Sequence, residues 1–326
     1  MKKKKGLLVS AMSILLLLVL SGCETNLVVF DPKGPQARAI MDLINWSFIW
    51  IGLVLVVVVG LFVYIIWKYR ARPENADYEP PDEKGNHKLE VIWTLIPIVI
   101  VILLTIPTVK TLYALEEVPE GYEDVEPLVI HVTSADWKWI FSYPEEDIET
   151  VNYVNIPVDR PVTFKLTSAG TMQSFWIPSL AGQEYTMNKM ETELIVVADE
   201  EGSFFGRNTN FNGEGYAGME FEVQAQSPAD YEKWVKEAKE LSPKLTEEEY
   251  KELLKPTHLG RLTYSNTHLD WVDHADHNAE LYIDPELYRG HGYPGKIFTE
   301  DENENSENHE NMNMDEEEHG GEHSGH

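Results

Sequence analysis

The chain is almost without cysteine. One residue, Cys23, serves 326 positions. No intramolecular disulfide can form, and no centre that needs two thiolates from this chain can be built. That excludes CxxC redox motifs, Cys-rich zinc sites and iron–sulfur clusters. Basic residues are also scarce: 26 Lys and Arg stand against 55 Asp and Glu, for a formal net charge of −29. Phosphate backbones need clustered Lys and Arg, so nucleic acid is excluded as a partner. Large apolar residues all but vanish after Thr299. The tail 299–326 is acidic and rich in Asn, Gly and His, and it is expected to be disordered because it cannot bury a core. Long apolar runs are confined to the first third of the chain, which implies a membrane part joined to a soluble part.

The first run is an address. Lys2 to Lys5 form a basic stretch and Gly6 to Leu20 an apolar one too short to span a bilayer. Leu20-Ser21-Gly22-Cys23 then resembles a bacterial lipoprotein processing site. Residues 1–22 are expected to be a signal peptide and Cys23 the point of lipid attachment, its acyl chains (palmitate among them) holding residues 23–43 at the outer face. An ordinary signal peptide that ends near a cysteine is the alternative. Two spans follow, Ile44 to Trp67 and Val91 to Tyr113, the second with Pro97 and Pro107 inside it. Lys68, Arg70, Arg72, Lys84 and Lys88 lie in the connecting loop 68–90, which places it in the cytoplasm and the remainder outside.

From residue 116 to 226 the pattern becomes short alternating runs: 128–133, 137–143, 151–156, 162–167, 193–197, 202–207 and 218–225. Roughly six to eight strands separated by turn residues predict an all-β Greek-key sandwich or barrel. Helical signals open the extension 227–298. Ser227-Pro228 starts one helix, with Trp234, Val235, Ala238 and Leu241 as its apolar stripe, and Thr246 with Glu249 starts another.

Three segments then become specific. Leu89-Glu90-Val91-Ile92-Trp93-Thr94-Leu95-Ile96-Pro97, Asp136-Trp137-Lys138-Trp139 and Ser174-Phe175-Trp176-Ile177-Pro178 resemble hallmark segments of subunit II of heme–copper oxidases. The resemblance covers about residues 32–257 and implies a cupredoxin-like domain. In the cytochrome c oxidases of that family the domain holds a dinuclear copper centre. Its ligands are a His just before the Ser-Phe-Trp segment and a Cys-x-x-x-Cys-Gly-x-x-His-x-x-Met run. Here those positions read Gln173, Asn208, Asn212, Tyr216 and Met219. Amides cannot replace the thiolates that bridge two coppers. A plain strand–loop–strand with Met219 as core filler leads to the same view of a vacated site. The lipobox and the stretch from Tyr143 to Tyr153 are similar to those of the menaquinol oxidases of Gram-positive bacteria, which take electrons from quinol.

The resemblance implies that this chain has no catalytic residue, metal or cofactor of its own. Hemes and copper are expected in a partner, subunit I, which also takes the quinol; smaller membrane subunits and membrane lipid complete the partners, in a bacterial cell membrane. It implies that Glu90 helps protons enter from the cytoplasm, against the simpler role of a carboxylate at a helix N-terminus. Trp137 and Trp139 are expected to pack at the subunit I contact. A cytochrome c oxidase subunit with copper and a free-standing lipoprotein binding module are the alternatives. His258, His268, His274, His277 and His291 show no strong ligand spacing and are read as structural or surface residues. His309, His319, His323 and His326 lie in the solvated tail, which could hold cations loosely with its carboxylates.

Overall fold

The computed structural model describes residues 27–70, 85–276 and 279. The expected signal peptide, Cys23, most of the loop expected in the cytoplasm, His277, His291 and the whole tail lie outside them.

Helix α1 (Pro35–Tyr69) and helix α2 (His87–Leu115) are the two apolar helices. Both exceed the predicted spans. Hydropathy marks only the lipid-compatible middle of α1, whereas the helix starts where Pro35 takes the first position after Gly34. At 35 residues α1 is roughly 50 Å long, well beyond a ~30 Å hydrocarbon core. Its first turn rests on the soluble domain: Ala37 N donates to Leu180 O (3.1 Å), Lys33 pairs with Glu200 (3.0 Å) and Arg38 with Asp199. The helices also contact each other. Pro107 has no N–H, so the carbonyl four residues back, at Leu103, loses its helical donor. Trp46 Nε1 of α1 donates to that oxygen at 3.2 Å.

The soluble domain is a two-sheet β-sandwich. Its strands are β1 (Leu128–Ala135), β2 (Lys138–Tyr143), β3 (Ile148–Val151), β4 (Tyr153–Pro157), β5 (Val162–Ser168), β6 (Gln173–Trp176), β7 (Gln183–Thr186), β8 (Thr192–Val196), β9 (Gly202–Asn208), β10 (Glu220–Gln226) and β11 (Leu262–Tyr264). One sheet runs β11-β3-β2-β1-β5-β8 and the other β4-β10-β9-β6-β7. The pairs β1–β5 and β4–β10 are parallel and the others antiparallel. The run expected as one strand over 151–156 is two. Asn152 adopts a positive φ of 59° and sends the chain from one sheet to the other. Asn tolerates that region better than β-branched residues do, and its side chain holds the crossing by accepting from Trp139 N (2.9 Å) and donating to Leu259 O (2.8 Å).

Between the sheets lies an aromatic core that includes Trp139, Phe141, Phe164, Phe175 and Phe221. Phe175 and Phe221 stack with centroids 4.8 Å apart. Gly206 lets Phe221 lie flat, since a Cβ there would come within 2.2 Å of the ring. Helix α3 (Pro228–Leu241), capped by Ser227, closes one end with Tyr231 and Ala238. Leu241, expected on its apolar stripe, is instead 80% exposed: the final turn runs past the sandwich. Helix α4 (Glu247–Leu253), capped by Thr246, and the segment to residue 279 form a second core over the outer face of the six-stranded sheet. There Tyr250, Leu253, Leu254 and Val272 meet Ile140 and Val151.

Candidate functional site

Gln173 and Asn212, two of the five positions that the family resemblance singles out, meet at Asp136, in the bend between β1 and β2. Its Oδ1 accepts from Gln173 Nε2 (2.7 Å), Thr171 Oγ1 (2.8 Å) and Asn212 Nδ2 (3.2 Å). Gln173 opens β6 and Asn212 follows β9, so a single carboxylate ties both sheets together. Asn208, at the end of β9, points its Oδ1 at two backbone amides, Ser174 N (3.0 Å) and Asn210 N (2.9 Å). Met219 is buried; its carbonyl accepts from Asn208 N (3.0 Å), and Asn212 Nδ2 approaches its Sδ at 3.5 Å. Tyr216 stands in the turn before β10 and packs its ring against Phe211, with centroids 5.7 Å apart.

Burial pushes the Asp136 carboxyl above its ordinary range. Its three donors and the nearby Lys138 pull it back. Lys138 is fully buried, donating to Asp136 O (2.9 Å) and Lys255 O (2.8 Å). Burial lowers its ammonium to about 8, against the opposing pull of Asp136. Asp136, Thr171 and Lys138 were missed as members of this cluster, although Asp136 and Lys138 stand inside the Asp-Trp-Lys-Trp segment. Among the five ligand positions the only sulfur is the thioether of Met219 and no imidazole is present, so the donor set does not fit a dinuclear copper pair.

The tryptophan pair divides. Trp139 is fully buried, edge-on to Phe175 (5.1 Å) and Phe221 (5.6 Å), so its side chain packs inside the sandwich and meets no partner surface. Trp137 is partly buried. Its Nε1 donates to Asn212 O (3.0 Å) and its ring stacks on His258 (5.7 Å). It also covers Gly215, where a Cβ would lie 2.1 Å from the indole. Glu90 sits in the first turn of α2, after an Asn86 side chain that accepts from Leu89 N (3.3 Å). Its carboxylate is 3.4 Å from His87 Nδ1 and half-exposed. His268 and His274 are buried and structural. His268 Nδ1 meets Glu149 Oε2 at 2.6 Å, and His274 Nε2 meets Tyr250 OH at 2.7 Å.

Residues 22–111 match the family described as cytochrome c oxidase subunit II, transmembrane domain. Over 273 residues the chain is 53% identical to quinol oxidase subunit 2 of Bacillus cereus, covering 84% of this chain and 94% of the relative. It is 50% identical to quinol oxidase subunit 2 of Bacillus subtilis over 273 residues, covering 83% and 84%. A probable quinol oxidase subunit 2 of Staphylococcus saprophyticus matches at 47% over 275 residues, covering 84% and 71%. Among solved structures, the periplasmic domain of cytochrome oxidase subunit II (CoxB) of Bradyrhizobium japonicum aligns at 20% identity and a TM-score of 0.33, over 33% of this chain and 91% of that one. On these matches over most of its length, the chain belongs to the quinol oxidase subunit 2 family, within the cytochrome c oxidase subunit II superfamily.

Proposed function

We propose that this chain is the copper-free second subunit of a membrane oxidase that oxidises quinol and reduces O₂ to water with proton translocation. Its sandwich stands on the outer face of the membrane, and Cys23 carries the lipid anchor. The reaction belongs to subunit I, which carries the hemes and copper and takes the quinol. This chain braces that subunit and the smaller membrane subunits, and Glu90 at the cytoplasmic start of α2 helps supply protons.

The observation that carries the reading is the state of the five ligand positions. Gln173 and Asn212 are spent on Asp136, Asn208 is spent on backbone amides, and no thiolate exists in the domain. Such a shell cannot store an electron, so reducing equivalents reach the partner without passing through this domain. The copper-bearing alternative lacks its bridging ligands, and a free-standing lipoprotein would have no need of two apolar helices. Purification through a tag on this chain tests the reading. Heme-containing subunit I and quinol-dependent O₂ consumption should co-purify. Recovery of the chain without heme would dismiss it.

A further inference from the structure

One register crosses the entire six-stranded sheet. Tyr264, Glu149, Ser142, His131, Lys165 and Glu193 are paired neighbours in turn, one per strand. Paired residues of a ladder share a face. Ile130, Val132, Phe141, Phe164 and Leu166, which flank them in sequence, point into the aromatic core, so this polar row lies on the opposite face. The C-terminal extension covers one end of the row, whereas Glu193 at the other end is exposed. Over its β3 end His268 contacts Glu149 (2.6 Å), Ser142 (3.3 Å) and Thr133 (3.4 Å). Further along the row, at His131, the imidazole is half-buried, and a carboxylate oxygen from each of Glu191 and Asp273 joins it. The three atoms lie within 4.8 Å of one another.

We infer that His131, Glu191 and Asp273 form a binding site for a divalent cation of the zinc class, which fastens the C-terminal extension to the sandwich. The three side chains come from separate places: β1, the residue before β8, and the segment after the 3-10 turn His268–Asp270. An ion held by all three would join β1 and the start of β8 to Asp273, more than 130 positions beyond His131. One imidazole and two carboxylates suit a borderline cation such as Zn²⁺, with water at the fourth position; Ca²⁺ and Mg²⁺ favour all-oxygen shells. Ligand atoms around 2.1 Å from one zinc stand roughly 3.4 Å apart, so the present spread closes with small side-chain rotations.

Two features hold the Asp273 segment in place. Ala275 N donates to Asp273 Oδ1 (2.9 Å), and Lys189 N donates to His274 O (3.0 Å), which tethers the extension beside the β7–β8 hairpin. Burial lowers the His131 pKa, against the opposing pull of Glu191 and Asp273. Lys165 is the competitor. Its Nζ lies 2.9 Å from Glu191 Oε1. Glu193 and Asp273 also face this lysine, so carboxylates outnumber ammonium groups at the site.

The test uses the purified full-length oxidase with His309→Ala, His319→Ala, His323→Ala and His326→Ala introduced to silence the tail. Zn²⁺ is titrated against a chromophoric chelator in this parent and in derivatives carrying His131→Ala or Asp273→Asn. The inference expects each derivative to lose one equivalent of tight zinc, with affinity weakened by about tenfold or more. Lys165→Met should tighten binding. Zn²⁺ should slow tryptic cleavage between residues 242 and 276 in the parent and not in the derivatives. Because the alanine variant could fold poorly, Co²⁺ is also added to the parent and to Asp273→Asn. Visible d–d absorption in the parent that weakens in Asp273→Asn supports the site. Equal zinc stoichiometry and affinity in parent and derivatives, or Co²⁺ spectra unchanged by Asp273→Asn, would overturn it and leave Lys165 as the natural partner of Glu191.

Discussion

Gln173 Nε2 donates a 2.7 Å hydrogen bond to Asp136 Oδ1, so its amide is committed to a buried carboxylate. Thr171 and Asn212 reach the same oxygen. Asp136 is the centre of a polar knot between the sheets. Removing its centre strands three donors, and each unsatisfied buried group costs about 1–3 kcal/mol. Asp136→Ala is therefore expected to lower the thermal midpoint of the soluble domain more than Gln173→Ala does. Near-UV circular dichroism melts of the purified chain in detergent would check this order.

The two tryptophans should separate cleanly on mutation. Trp139 fills the core between Phe175 and Phe221, and truncating a buried aromatic costs about 3–5 kcal/mol. Trp137 lies over Gly213 and Gly215 at the periphery. Trp139→Ala is expected to unfold the sandwich at markedly lower urea concentration. Trp137→Ala should leave that midpoint closer to wild type and instead reduce the heme recovered with the tagged chain. Equal loss of stability in both would show that the division is wrong.

Lys138 makes stability depend on alkaline pH. Its folded pKa, about 8, is below the ordinary 10.5, so between those values the unfolded chain binds more protons. The associated stabilisation is complete above 10.5 and is lost as pH falls through 8, amounting to at most ~3 kcal/mol. Lys138→Met abolishes this dependence and adds a constant cost, because the carbonyls of Asp136 and Lys255 lose their donor. Relative to wild type, the variant should therefore fare better at pH 7 than at pH 10. Thermal melts at both values give the sign, and a difference independent of pH would contradict it.

Glu90→Gln keeps the shape of the first turn of α2 and removes the carboxylate beside His87. If that carboxylate feeds protons, O₂ turnover and proton uptake should both fall, on the order of tenfold, and Glu90→Asp should restore part of each. A carboxylate that only complements the helix dipole would cost a few tenths of a kcal/mol in stability and leave turnover alone.

The sequence carries its large features in patterns that need no partner. Two apolar runs, alternating strands and capped helices each declare themselves locally, and all of them are present. What it hides depends on contacts. The chain crosses sheets at Asn152 in the middle of an unbroken alternating run, so only its positive φ reveals two strands. Trp137 and Trp139 look like one face by period two, yet Trp137 precedes β2, where the rule does not apply. β6 and β7 are four residues each, too short to show a period. Gln173 and Asn212 were singled out by the family resemblance; the carboxylate that gathers them was not, because it arrives from the β1–β2 bend. The pairing of Trp46 with the carbonyl freed by Pro107 likewise joins two helices that no local pattern connects.

The central claim is that no electron-storing copper pair forms in this domain. The purified full-length oxidase, incubated with copper and washed, can be examined by electron paramagnetic resonance for the multi-line signal of a mixed-valence copper pair. The account predicts no such signal, and copper content unchanged by Met219→Leu. A mixed-valence signal, or tightly held redox-active copper that Met219→Leu removes, would contradict it.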